Sequence, residues 1–170
     1  MVGAEFRAPW SRTLRGLSTF VSLLMLALIC LRLAINAPRF IRFGVLVGLP
    51  LIVLAGSLPF MIRGYVITPA AIEVRRLGWS TRLPLAGLLE VVGDPGALAG
   101  SIRLFGNGGL YSFTGLFWNR KLGRYRAFMT DPQRAVLLKY RDRTIVVTPG
   151  DVQHFIVAVR KRIGNAGATH

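Results

Sequence analysis

Between Phe117 and Arg126 the chain sets three aromatic rings (Phe117, Trp118, Tyr125) among four basic side chains (Arg120, Lys121, Arg124, Arg126). That mixture suits a membrane surface, because amphipathic rings favour the headgroup layer and cationic side chains favour its negative charge. Strand aromatics are also frequently core residues. Phe117 and Trp118 therefore have a second reading, as the filling or rim of a β structure with the basic groups merely solvated. Both readings stay open at this point.

Acid–base chemistry finds no comparable constellation. Glu90 falls at an exposed strand position, Asp94, Asp131 and Asp142 in turn sequences, and Asp151 at a helix start. His154 has no serine or cysteine motif to activate and reads as a helix-surface residue. A lone cysteine, Cys30, excludes an internal disulfide and any cysteine zinc cluster, and two histidines make no metal site by themselves. Gly106-Asn107-Gly108-Gly109 has the look of a phosphate loop, but no Gly-Lys-Ser/Thr ends it and no helix follows. Positive φ angles in a hairpin turn explain it better. Neither catalysis nor a cofactor is expected.

The elements that must position these residues begin with two apolar stretches. Leu17–Leu31 and Phe43–Ile62 carry no charge. A bilayer core needs roughly 20 apolar residues in helix. The second stretch meets that length, and the first does so if Arg15 and Arg32 reach back to the interface. Two transmembrane helices, at 14–35 and 43–62, are expected within an N-terminal region 1–63. Cleavage of the first as a signal peptide is disfavoured, because Ala34-Ile35-Asn36-Ala37 is a poor processing site and a second span follows. Arg7, Arg12, Arg15, Arg63, Arg75 and Arg76 outnumber Arg32, Arg39 and Arg42 of the connection, which places both termini in the cytoplasm.

The net charge of +15 divides into seven basic against one acidic residue in 1–63 and fifteen against six in 64–170. Anionic phospholipid accounts for such an excess in an anchored chain. Nucleic acid is not expected, since no reader motif accompanies the charge.

After Arg63 short alternating runs replace the continuous apolar pattern. Tyr65–Thr68, Ile72–Leu77, Ser80–Leu85, Leu88–Val92, Ser101–Phe105, Arg124–Met129, Ala135–Tyr140 and Arg143–Val147 read as strands, with Leu110–Phe113 as a further one. Thr148-Pro149-Gly150-Asp151 then supplies a capping threonine, an early proline and an acid. Val152, Phe155, Ile156, Val159 and Ile163 repeat along one helical face, and Gly164-Asn165 reads as its stop. About seven strands capped by one C-terminal α-helix form the layout of a pleckstrin-homology (PH)-like barrel, over 64–164, with 165–170 as a disordered tail.

Several of these features occur together in a known group. Tyr65-Val66-Ile67-Thr68 follows the last apolar stretch, and Gly106-x-Gly108-Gly109 forms a turn. Gly115 and Gly123 flank the aromatic-basic segment, and Ile145-Val146-Val147-Thr148-Pro149 leads into the helix. In this combination the chain resembles the small bacterial PH-domain membrane proteins, over nearly its whole length. The resemblance implies an all-β PH-like barrel behind a transmembrane helical hairpin in the bacterial inner membrane, and it brings no catalytic residues. The expected function is binding of anionic phospholipid headgroups, or of a protein partner, at the membrane surface. The alternative is an assembly subunit whose barrel takes a peptide or membrane-protein partner, the charge serving topology alone. Oligomeric state is left open.

Overall fold

The computed structural model describes residues 4–34 and 47–167. A short strand, β1 (Ala4–Arg7), leads directly into the long helix α1 (Arg12–Ala34). Ser11 caps that helix, its Oγ accepting from the Leu14 N–H at 3.0 Å. Arg12–Leu31 is long and apolar enough to cross a membrane.

A two-helix membrane hairpin is not present among the described residues. Of the expected span 43–62, residues 43–46 lie outside the description. The remainder opens with a π turn at 47–48 and continues as a nine-residue helix, α2 (Leu49–Ser57), and a 3-10 turn, Leu58–Phe60. These nine residues account for about 14 Å of helix, and the helical segment ends at Phe60 rather than Ile62. Pro59 has no N–H to continue the ladder. Ile62, expected inside the bilayer, is buried at the start of a strand.

Two separate sheets form the rest of the chain, where a closed barrel was expected. Sheet 1 has the order β1-β2-β3-β4, with β2 (Ile62–Ile67), β3 (Ala71–Arg76) and β4 (Ser80–Pro84), all antiparallel. Sheet 2 has six strands in the order β5-β9-β10-β8-β7-β6. These are β5 (Leu88–Gly93), β6 (Ile102–Gly108), β7 (Phe113–Asn119), β8 (Gly123–Met129), β9 (Val136–Tyr140) and β10 (Thr144–Val147). The pairing of β10 with β8 is parallel and the others are antiparallel.

Ten strands form among the described residues, against about seven in the expected layout and nine runs legible in the sequence. Residues 4–7, for which no strand is expected, add one to sheet 1. Gly64 makes the approach of β1 possible, since a Cβ there would meet the Phe6 carbonyl oxygen at 2.6 Å. The aromatic-basic segment Gly115–Arg126, of which only Arg124–Arg126 is expected as strand, lies on two strands joined by a short turn, and the expected strand Leu110–Phe113 is irregular up to Ser112.

Tyr65, Ile72 and Val74 of sheet 1 share one apolar cluster with Phe128, Leu138, Ile145 and Val147 of sheet 2. The C-terminal helix α3 (Val152–Gly167) closes this cluster with Phe155, Ile156 and Val159. The opposite face of sheet 2 buries a second cluster, around Phe117, Tyr125, Ala127 and Val146. Burial on both faces explains why Val136–Leu138 of β9 and Ile145–Val147 of β10 are continuously apolar rather than alternating. Asp151, not Thr148, caps α3, with its Oδ1 accepting from the His154 N–H at 3.0 Å. Thr148 is buried instead, its Oγ1 accepting from the Thr130 N–H at 2.9 Å. The helix runs past Gly164-Asn165 to Gly167.

Candidate functional site

Four strands of sheet 1 do not cover six strands of sheet 2, and the uncovered part lies on β6, β7 and the first half of β8. Register decides what is displayed there. Phe117 pairs with Tyr125, Trp118 with Arg124 and Leu116 with Arg126. Alternation therefore turns Phe117 and Tyr125 to the covered face and Leu116, Trp118, Arg124 and Arg126 to the open one. Phe117 (7% exposed) and Tyr125 (1%) stack with centroids 5.8 Å apart. The Tyr125 hydroxyl donates to Ser101 Oγ at 2.8 Å, and burial pushes its pKa up. For these two rings the core reading is the one observed.

Trp118 remains 37% exposed on the open face. A bulge between Arg103 and Phe105 on the edge strand β6 restores register, so that Ile102 lies opposite Trp118 and Phe105 opposite Leu116. Phe105 is 80% exposed. The open face thus combines Ile102, Phe105, Leu116 and Trp118 with Arg124 and Arg126. Arg120 and Lys121 sit apart, at the tip of the β7–β8 turn, where Lys121 pairs with Asp94. That ion pair holds the Asp94 carboxyl below its usual range. Buried Asn119 fixes the tip, accepting from the Leu122 N–H at 2.7 Å and donating to the Ala97 carbonyl at 2.7 Å.

The other end of this hairpin is tied to the helices. Ser18 Oγ of α1 donates to the Gly109 carbonyl at 3.1 Å and accepts from the Tyr111 N–H at 3.0 Å. Ser22 Oγ lies 3.0 Å from the Tyr111 hydroxyl. Ser112 Oγ donates to the Phe60 carbonyl, beyond α2, at 2.8 Å. Gly109, at φ 126°, leaves no room for a side chain, since a Cβ would meet Leu17 at 2.6 Å. Of the glycine-rich segment, where a hairpin turn was expected, Gly106-Asn107-Gly108 is the end of β6, paired with Phe113–Gly115, and only Gly109 belongs to the loop that seats α1.

Where the open face meets sheet 1 and the end of α2 lies a cleft of about 810 Å³. Arg76, the last residue of β3, lines it and is only 6% exposed. Its guanidinium lies 4.6 Å from the Trp79 ring centre, 5.2 Å from Phe128 and 5.8 Å from Phe60. Trp79 is held in place by donating its Nε1–H to the Pro59 carbonyl at 2.9 Å. Burial first, and then repulsion from Arg126, lower the Arg76 pKa, with Tyr65 opposing. In the sequence Arg76 counts toward topology and as a polar alternate in the run Ile72–Leu77, and its burial corrects that placement. Yet Ile72, Val74 and Arg76 fall in one alternating phase, so the inward position of this arginine had a visible cue.

Fold and site together define a small β-sandwich module that presents an apolar, basic surface beside an apolar helix. Residues 63–163 match the family described as Bacterial PH domain, and with more than half of its length matched the chain belongs to that family. No curated protein and no solved structure matches it. PH-like domains are in general lipid- or protein-binding modules rather than catalysts.

Proposed function

We propose that this chain is a membrane-anchored module that binds anionic phospholipid headgroups at the surface of the bacterial inner membrane. The carrying observation is the open face of sheet 2. There Trp118, Leu116 and Phe105 stand beside Arg124 and Arg126 on a hairpin hydrogen-bonded to α1. Aromatic and basic side chains in one surface are what a headgroup layer favours. Arg120 and Lys121 add charge at the tip, while Phe117 and Tyr125 support the face from behind. Arg7, together with Arg12 and Arg15 in the first turn of α1, favours a cytoplasmic position for the domain.

The test uses the full chain carrying Trp10→Phe and Trp79→Phe, which leaves Trp118 as the sole tryptophan. In nanodiscs with brominated acyl chains, Trp118 fluorescence should be quenched more strongly in phosphatidylglycerol than in phosphatidylcholine. Arg124→Glu with Arg126→Glu should abolish the difference. Equal quenching in both lipids rejects the reading.

The assembly alternative draws on one observation, the edge position of β6 with Ile102 and Phe105 exposed. Such an edge can accept a partner strand. A stoichiometric protein partner retained by the full chain and lost on adding a proline within β6 would favour it.

A further inference from the structure

Arg76 is a buried cation without an anion. Its Nε and Nη1 are shielded from solvent and have no hydrogen-bond partner among the described residues. Three ring faces supply cation–π attraction, but they accept no conventional hydrogen bond from the guanidinium edge. A buried donor left unpaired destabilises the site that holds it. Arg126 compounds the problem, since its guanidinium lies 5.2 Å from the same Phe128 ring that Arg76 covers. Among the described residues lining the cleft there is no carboxylate to balance either charge.

Both deficits have one remedy, an oxyanion between the two arginines. Two guanidinium groups, each 5.2 Å from the Phe128 ring centre and both lining the cleft, present more donors than one carboxylate can accept, and they suit the several oxygens of a phosphate. The remaining walls are of a different kind. Phe60, Trp79, Phe105 and Leu116 line the cleft with Gly56 of the apolar helix α2, which leaves room and apolar surface for a hydrocarbon chain. The volume is within the usual range for an enclosed small ligand.

We propose that the cleft between sheet 1, the open face of sheet 2 and α2 holds one membrane phospholipid. Arg76 and Arg126 clasp its phosphate, and an acyl chain lies along Phe105, Leu116 and α2. This deepens the headgroup-binding reading and rests on it, by adding a single stoichiometric site to a diffuse surface.

Full-length protein, delipidated in dodecyl maltoside, is titrated with dodecyl phosphate and, separately, with inorganic phosphate. Native mass spectrometry counts bound molecules. Trp79 emission, in a chain carrying Trp10→Phe and Trp118→Phe, reports the cleft. One dodecyl phosphate per chain with a shift in Trp79 emission is expected. Arg76→Met and Arg126→Gln should each weaken it about tenfold or more, the loss of one charge-assisted interaction. Arg126 is exposed, so its replacement keeps the test valid if the Arg76 variant folds poorly. Inorganic phosphate binding as tightly as dodecyl phosphate would overturn the amphiphile assignment. Undiminished dodecyl phosphate binding in both variants would overturn the site. Trp118 quenching by anionic nanodiscs alongside no dodecyl phosphate binding rejects the cleft alone, and failure of both rejects the lipid-binding reading beneath it.

Discussion

Phe155→Ala is expected to lower the free energy of unfolding by about 3–5 kcal/mol, the range for deleting a buried ring. Phe155 is fully buried where α3 meets both sheets, with its ring edge-on to Phe6 at 5.2 Å and to Tyr65 at 6.1 Å. Its removal strips the partner from Phe6 and with it the side-chain anchor of β1. Denaturant unfolding of the full chain in detergent measures the loss, and amide exchange should rise first in β1. A loss under about 1 kcal/mol would mean that α3 is not integral to the core.

The second large effect belongs to Tyr65, which bridges the sheets. Its hydroxyl donates to the Phe128 carbonyl at 2.7 Å and accepts from the Thr148 N–H at 3.1 Å. Burial pushes its pKa from 10.0 to about 12. The folded value lies above the unfolded one, so the associated stability is fully present below pH 10 and is lost as pH rises through about 12. Across that window the loss amounts to about 2–3 kcal/mol. Burial raises Tyr125 and Tyr140 in the same direction. Tyr65→Phe should cost about 1–3 kcal/mol at neutral pH, by leaving the Phe128 and Thr148 backbone groups unpaired. It should also flatten the decline above pH 10. An unchanged alkaline slope in this variant would assign the titration elsewhere.

Much of this architecture is written in local patterns. The β2 to β5 runs, the β9–β10 pair and the apolar face of α3 follow directly from alternation and helical spacing, since each depends on near neighbours. What escaped depends on distant ones. Nothing near Ala4–Arg7 announces a strand, because its partner lies some sixty residues on and the accommodating signal is Gly64. Leu116-Phe117-Trp118-Asn119 has every second side chain buried, but the exposed members are apolar because sheet 1 ends before covering them. With no polar alternation to read, that strand looks like a loop. Thr148 and Asp151 both suit a helix cap, and the choice was made by Tyr65, which claims Thr148 for the core. The seven aromatic and basic candidates were therefore adjacent in sequence yet divided by the pleat, while Arg76, contributed by another sheet, lines the same cleft as Arg126.

The pairing of β1 with β2 carries a consequence for topology. Phe6 and Tyr65 are partners in one ladder, so the chain that departs through α1 rejoins the same sheet at Ile62. Any bilayer between those points is crossed an even number of times, whatever path is taken. A single-pass anchor is incompatible with an intact sheet 1, leaving a there-and-back passage or a helix that never crosses. Timing obeys the same parity. During synthesis β1 emerges before β2 and waits without this partner until the intervening chain has been made.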